Sequence, residues 1–294
     1  MKKIIFYTVF LLVCTGVYAQ VRTVIDFNKG WKFFLGDDST AIQPGYNDTK
    51  WRKLNLPHDW SIESNFIKEA PATNQGGSLP GGIGWYRKTF LLPASAKNKN
   101  VNIEFDGVYK NSEVWINGNY LGKRPYGYIN FSYDLTPYLF FDKQNVIVVK
   151  VDNSLQPDSR WYTGSGIYRD VKLVITKWWF LKGEDVFVYT RQADKDEVII
   201  EASAKLVTRN TDIEIWAELF DDAGKFISRM NSGKVNEQNL FTFNYKIPKP
   251  KLWSVNTPAL YKVKFKVFIA ARQMDEYEVT FGIRTFDFDS QKGF

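Results

Sequence analysis

Residues 113–122 read Glu-Val-Trp-Ile-Asn-Gly-Asn-Tyr-Leu-Gly, and this stretch predicts how the first half of the chain folds. Asn117-Gly118 lies between two strand-like runs, and this dipeptide favours a tight hairpin because both residues accept positive φ. Upstream, residues 101–105 alternate apolar and polar side chains. Downstream, residues 146–151 form a nearly unbroken apolar run, as in a strand buried on both faces. No convincing amphipathic helix follows residue 20, so we expect an all-β fold.

The second half of the chain shows a plainer alternation. Apolar side chains recur at every second position in three segments, residues 213–219, 241–247 and 261–269. Short strands at this spacing over about 100 residues are typical of an immunoglobulin-like β-sandwich. Because the character of the sequence changes around Lys177, we predict a first domain over residues 20–177 and an immunoglobulin-like domain over residues 178–286.

The first residues have the pattern of a secretory signal peptide. Lys2 and Lys3 precede a short apolar run at residues 4–13, and Val17-Tyr18-Ala19 offers small residues at a cleavage site before Gln20. A retained membrane anchor is the less favoured alternative, since a spanning helix needs ~20 apolar residues. We therefore predict a signal peptide at residues 1–19 and a secreted protein, periplasmic or extracellular, with no membrane contact after cleavage.

Cysteine and histidine usage narrows the possible chemistry. Cys14 is the only cysteine and His58 the only histidine. After cleavage no disulfide can form, and a zinc site of His/Cys type is excluded in a single chain. We predict no metal site, no cofactor and no cysteine nucleophile.

Charge and aromatic content bear on the partners. The net charge is +7, and the surplus is spread along the chain between acidic residues, which does not favour nucleic-acid binding. Aromatic residues make up 17% of the chain, with ten Trp. Aromatic side chains fill large sandwich cores, and they also stack on the apolar faces of sugars, so this composition fits both interpretations.

Eight strings, in order along the chain, resemble glycoside hydrolase family 2, the family of β-galactosidases, β-glucuronidases and β-mannosidases. His58-Asp59-Trp60 together with Arg160-Trp161-Tyr162 favours its β-galactosidase branch. The strings cover residues 26–33, 56–60, 84–88, 105–108, 114–118, 159–169, 252–261 and 281–284.

The resemblance implies a jelly-roll, galactose-binding-like sandwich followed by an immunoglobulin-like sandwich, with residues 287–294 as the start of the link to a (β/α)₈ barrel. Such a barrel takes about 250 residues. In the family it carries the two carboxyl groups of a retaining glycosidase, which lie about 5–5.5 Å apart. Neither position falls in this sequence, so we predict no catalytic residue here and no hydrolysis by this chain alone. Asn236-Glu237 resembles the Asn-Glu pair that carries the family's acid/base. It lies in a polar, turn-like stretch of the second domain, however, and a two-residue motif outside its structural context does not indicate catalysis.

The best candidate for sugar binding is the loop segment Asp158, Ser159, Arg160, Trp161 and Tyr162, which in the family helps to close the sugar pocket. Arg160 can donate several hydrogen bonds, Asp158 can accept them, and Trp161 can stack on a ring. The structural alternative is that Arg160 pairs with Asp158 while Trp161 packs the domain junction.

Other candidates have simpler explanations. We expect His58 to be a structural hydrogen-bonding residue beside Trp60. Trp85, Tyr126 and Tyr128 are either loop aromatics near a sugar or core residues.

The sequence thus predicts the non-catalytic N-terminal part of a β-galactosidase-type hydrolase that acts on terminal β-glycosides. Its expected partners are a β-linked glycan and a catalytic barrel domain. Two alternatives stay open at this point, a stand-alone carbohydrate-binding module and a structural partner of a separate barrel chain. The preferred sugar and the oligomeric state are also open.

Overall fold

The computed structural model describes residues 21–193, 196–208, 213–231, 239–286 and 288–291. Within these ranges the chain forms seventeen β-strands and five 3₁₀ helices of three or four residues, so the all-β prediction is confirmed. The predicted signal peptide and Asn236-Glu237 lie outside the described residues. Over the described ranges, no helix has the length and apolar character needed to cross a membrane.

Ten strands build the first sandwich. One sheet has the order β1-β10-β5-β8 and the other the order β3-β2-β4-β9-β6-β7. Neighbouring strands are antiparallel throughout. The strands are β1 (Thr23–Asp26), β2 (Trp31–Leu35), β3 (Arg52–Leu54), β4 (Gly82–Leu91), β5 (Asn100–Phe105), β6 (Ser112–Ile116), β7 (Asn119–Arg124), β8 (Phe131–Asp134), β9 (Gln144–Asn153) and β10 (Val171–Thr176). The 3₁₀ helices are Ser39–Ile42, Ser61–Glu63, Asn74–Gly76, Ala94–Ala96 and Thr136–Tyr138.

The predicted hairpin joins β6 and β7. Asn117 and Gly118 have φ values of 50° and 83°, so both turn residues adopt the left-handed conformation that such a turn requires. Ile116 pairs with Asn119 across the two-residue turn. Val114 and Ile116 are fully buried between the sheets, and the apolar alternation therefore sets the register of this hairpin.

Strand β9 is buried on both faces, as its apolar run predicts. Ile147, Val149 and Val151 belong to the core between the two sheets. Val148 points to the opposite face, where it packs with Trp51, Trp85 and Trp115. This second cluster lies under residues 38–51, so the six-stranded sheet has apolar packing on both sides.

Seven strands build the second sandwich. One sheet has the order β11-β12-β15 and the other the order β14-β13-β16-β17, again with antiparallel neighbours. The strands are β11 (Phe180–Ala193), β12 (Glu197–Val207), β13 (Glu214–Phe220), β14 (Phe226–Asn231), β15 (Leu240–Pro248), β16 (Tyr261–Ile269) and β17 (Arg272–Phe281).

The alternation read from the sequence places the core of this second sandwich. Ala217, Phe243 and Phe265 come from three different strands and lie in one buried cluster. The Tyr245 hydroxyl donates a hydrogen bond of 2.6 Å to the Ala217 carbonyl and so ties the two sheets together. Glu218 faces away from this core, yet it is buried, because Arg229 (3.0 Å) and Lys266 (2.8 Å) cover its carboxylate. The two sandwiches are thus of the predicted jelly-roll and immunoglobulin-like types.

Candidate functional site

The predicted site residues lie on the long connection between β9 and β10, residues 154–170, which we call the β9–β10 loop. Its base is hydrogen-bonded to two other segments of the first sandwich. Tyr109 and Gly166 exchange two backbone hydrogen bonds of 2.9 Å each. His58 N–H donates to the Ile167 carbonyl at 2.8 Å, and Trp60 N–H donates to the Ser165 carbonyl at 3.1 Å. The loop is therefore held at its base while its tip stays at the surface.

Asp59 fixes the middle of this loop. Its Oδ1 accepts hydrogen bonds from the backbone N–H groups of Ser61 (3.0 Å) and Ser165 (2.9 Å). Its Oδ2 accepts a hydrogen bond from the Tyr162 hydroxyl. Burial and this contact raise the pKa of Tyr162, so the phenol stays protonated and donates. Tyr162 therefore anchors the loop.

Asp158 pairs with Lys110, whose ammonium group donates to Oδ2. The Tyr109 hydroxyl donates to the same oxygen at 3.1 Å. Burial raises the pKa of Tyr109, and the negative charge of Asp158 raises it further. Oδ1 of Asp158 accepts no hydrogen bond from the described residues. The Asp158 side chain is 21% exposed, so this free oxygen can accept a hydrogen bond from an incoming hydroxyl.

Trp161 forms an exposed aromatic surface with two tyrosines. Its Nε1–H donates to the Tyr128 hydroxyl at 3.1 Å, and the Tyr128 ring lies 5.7 Å from that of Tyr126. The exposed fractions are 60% for Trp161, 46% for Tyr128 and 59% for Tyr126. We call these three residues the aromatic shelf. Rings exposed to this extent are available for stacking on the apolar face of a sugar.

Ser159 and Arg160 complete the predicted segment. Ser159 Oγ donates to the Trp161 carbonyl at 2.9 Å and thus holds the backbone turn that presents the ring. Arg160 is exposed and makes no hydrogen bond or ion pair with any residue that the structure describes. The pairings expected in the structural alternative are absent among the described residues, because Asp158 pairs with Lys110 and Trp161 donates to Tyr128.

The remaining candidates separate into core and surface. Trp85 is 1% exposed and stacks on Trp115 with ring centroids 5.8 Å apart, so it is a core residue. Tyr126 and Tyr128 lie at the surface, in the aromatic shelf.

His58 is buried, and protein partners occupy both of its ring nitrogens. Nδ1 lies 2.7 Å from the Tyr86 hydroxyl and Nε2 lies 2.7 Å from Arg52 Nη2. Because a guanidinium can only donate, Nε2 of the neutral ring accepts and Nδ1–H donates to Tyr86. Burial lowers the pKa of His58, which favours this neutral form. The contacts are those of a structural residue.

Sequence reasoning missed three functional neighbours, Asp59 as an anchor and Tyr109-Lys110 as partners of Asp158. Asp59 stands inside a string that resembles the family, and this was the available signal. Tyr109-Lys110 directly follow another such string, residues 105–108, but nothing in the sequence predicts their pairing with Asp158 48 or 49 residues later.

Taken together, the loop offers stacking surfaces, the guanidinium of Arg160 and one free carboxylate oxygen. Groups of these kinds can stack on and hydrogen-bond to hydroxyl-rich molecules. In the part of the chain that the structure describes, no cluster of three or more His, Cys, Asp and Glu side chains is placed to hold a metal ion.

Comparison with known proteins identifies the family. Residues 24–177 match the family model for glycosyl hydrolases family 2, sugar binding domain, and residues 181–284 match the model for glycosyl hydrolases family 2. A β-galactosidase from Bacteroides ovatus is 46% identical over 275 residues, which are 92% of this chain and 32% of the relative. A putative β-glucuronidase from Formosa agariphila is 39% identical over 287 residues, 97% of this chain and 27% of the relative.

Comparison with solved structures supports the same family. The crystal structure of a β-glycosidase from Bacteroides vulgatus has a TM-score of 0.81 and 40% identity, covering 92% of this chain and 35% of that one. The chain thus spans about a third of the length of the proteins that it matches. The two family models match in sequence order on the two sandwiches, and the chain therefore belongs to glycoside hydrolase family 2 and corresponds to the N-terminal part of its enzymes.

Proposed function

We propose that this chain supplies the sugar-facing wall of an exported family 2 hydrolase of β-galactosidase type, which acts on terminal β-glycosides. The observation that carries the proposal is the aromatic shelf beside Arg160 and the free Oδ1 of Asp158. A ring face for stacking, next to a donor and an acceptor, is what recognition of a pyranose requires.

The assignment to the β-galactosidase branch rests on two supports. The strings around His58 and Arg160 resemble that branch, and the Bacteroides ovatus β-galactosidase is more similar to this chain than is the putative β-glucuronidase, at 46% against 39% identity. Export rests on the signal-peptide pattern of residues 1–19.

Catalysis in this proposal belongs to the part of the enzyme that the relatives have beyond the matched third. A retaining glycosidase needs one carboxylate as nucleophile and one carboxylic acid as acid/base. At the candidate site we assign other roles to the two carboxylates, since Asp59 holds the loop through three hydrogen bonds and Asp158 pairs with Lys110. We therefore expect this chain to orient a sugar for a barrel domain and to hydrolyse nothing alone.

Binding by this chain tests the proposal. Methyl β-galactoside, methyl β-glucuronide and methyl β-mannoside are titrated into the purified protein by NMR or calorimetry. We expect the galactoside to bind most tightly and Trp161→Ala to weaken it about tenfold or more, because burying such a ring contributes ~1.5–3 kcal/mol and 1.4 kcal/mol is a factor of ten. Trp178→Ala is the matched control, since Trp178 is 52% exposed and lies outside the aromatic shelf.

The outcomes separate the proposal from its rivals. Binding by this chain alone that is as tight as binding by the chain joined to its barrel domain would favour a stand-alone carbohydrate-binding module. No binding, together with self-association through exposed apolar side chains, would favour a structural partner. Hydrolysis of a chromogenic β-glycoside that one carboxylate substitution in this chain abolishes would contradict the assignment of catalysis to another domain.

A further inference from the structure

The two sandwiches are joined by one buried ion pair as well as by the chain itself. Arg22, just before β1 of the first sandwich, donates from Nε to Asp275 Oδ1 at 2.9 Å and from Nη2 to Asp275 Oδ2 at 2.7 Å. Asp275 lies on β17 of the second sandwich. Arg22 Nη2 also donates to the Leu181 carbonyl at 2.5 Å, and its guanidinium lies 4.9 Å from the centre of the Tyr277 ring. This fork-to-carboxylate geometry is strong and directional.

The pair is shielded from water. The side chains of Asp275 and Arg22 are 0% and 9% exposed. Besides Arg22, the carboxylate of Asp275 accepts a hydrogen bond only from Leu181 N–H, at 2.8 Å, among the described residues. Without Arg22, a buried carboxylate would keep a single partner and no opposite charge, which is strongly unfavourable. Among the described residues, Arg22 of the first sandwich is thus the only positively charged partner of Asp275 in the second.

A cavity lies at the junction. Charged side chains line it from both sandwiches, Glu104, Asp106 and Lys172 of the first and Glu184 of the second, together with Phe105, Phe131 and Tyr277. Among the described residues, two further side-chain contacts cross the junction. Ser132 Oγ donates to Glu184 at 3.2 Å, and Lys177 Nζ lies 3.8 Å from Met274 Sδ. Two domains of one chain are expected to move relative to one another unless their interface is large and apolar, and a buried, directional ion pair across the interface restricts such motion.

We propose that Arg22 is an interdomain clamp that holds the two sandwiches in one orientation. Residues 177–179 connect β10 to β11, and Trp179 packs against the core of the second sandwich. The Arg22–Asp275 pair is a second point of attachment and restricts rotation about this connection. It thereby sets where the β9–β10 loop stands relative to the second sandwich, whatever ligand the loop binds.

A distance measurement across the junction tests this inference without any sugar. Because Cys14 is the only cysteine, a Cys14→Ser chain accepts two specific spin labels, at Lys97→Cys on the first sandwich and Lys225→Cys on the second. Both positions are exposed. We expect one narrow distance distribution for the otherwise unchanged chain and a distribution at least about twice as wide for Arg22→Ala, as for two domains that move independently.

Arg229→Ala is the matched control, because it removes an arginine–carboxylate pair within the second sandwich. It should leave the distribution narrow. Arg22→Lys keeps the charge beside Asp275 and loses the fork, so we expect an intermediate width. Far-UV circular dichroism establishes that each variant is folded. If Arg22→Ala does not fold, Arg22→Lys decides. A distribution of unchanged width in the folded Arg22 variants would overturn the clamp, as would equal broadening in Arg229→Ala.

Discussion

The core of the second sandwich and the β9–β10 loop of the first are held in place by different kinds of contact. In the second, regular alternation builds the core, and Phe241, Phe243, Tyr245 and Ile247 of β15 are all buried. In the first, the β9–β10 loop is held by single polar contacts such as those of Asp59. Apolar burial makes a rigid support, whereas point contacts hold side chains at a surface where they can meet a ligand.

The largest effect should come from the core of the second sandwich. Phe265 is fully buried, and Phe265→Ala should lower the free energy of unfolding by about 3–5 kcal/mol, because it removes apolar contacts and leaves a cavity. Leu155 in the β9–β10 loop is 78% exposed, and Leu155→Ala should stay within about 0.5 kcal/mol of the unchanged chain. Urea denaturation compares the two. Similar losses for both variants would contradict the contrast between core and loop.

A smaller effect should come from the polar anchor of the loop. Asp59→Ala leaves two backbone N–H groups and the Tyr162 hydroxyl without their acceptor, which should cost about 1–3 kcal/mol. Hydrogen exchange should speed up at Ser165, whose N–H donates to Asp59.

Asp152→Ala serves as the control for this anchor. Asp152 accepts from Ser154 N–H and Ser154 Oγ in a local turn at the end of β9. Because that turn does not join the loop to residues 58–61, exchange at Ser165 should not change. Equal acceleration in both variants would show that Asp59 is not the anchor.

The smallest effect concerns the pH dependence of stability, and we expect it from the first sandwich, which contains His58. His58 is the only histidine, and burial lowers its pKa in the folded chain. As the pH falls below about 6.5, His58 therefore takes up a proton in the unfolded chain before it does so in the folded chain. The contribution of neutral His58 to the free energy of unfolding is fully present above that pH and is lost as the pH falls toward the folded pKa. His58→Gln should remove this part of the slope between pH 7 and 5.5 in urea denaturation. NMR of the single imidazole checks the pKa directly, and a value above 6.5 would reverse the expected sign.

Local signals predicted most of the fold. The Asn117-Gly118 turn, the two-sided burial of β9 and the alternation of β13, β15 and β16 each depend on residues close together in sequence. Trp85 and Trp161 show the limit of such signals. Both are tryptophans in strings that resemble the family, yet one lies in the core and the other at the surface. The difference arises from strand pairing across the sheet, which no short string encodes.

The site was predicted as a segment and not as a set of contacts. Residues 158–162 do lie together on one loop, but the partners Asp59, Lys110 and Tyr128 come from distant parts of the chain. Such pairings depend on the complete topology. The sugar-binding role of Asp158, Ser159, Arg160, Trp161 and Tyr162 stays a prediction until binding is measured.

The Arg22–Asp275 pair also bears on timing. Its two residues are 253 positions apart, so the start of the chain finds its partner near the end of the second sandwich. Chains are synthesised from the N-terminus at about 5–20 residues per second, and Asp275 therefore follows Arg22 by roughly 13 to 50 seconds. β10, the last strand of the first sandwich, ends at Thr176. From that point until Asp275 has been synthesised, Arg22 has no partner. Formation of the pair is thus a late event, which requires most of the second sandwich to have been made.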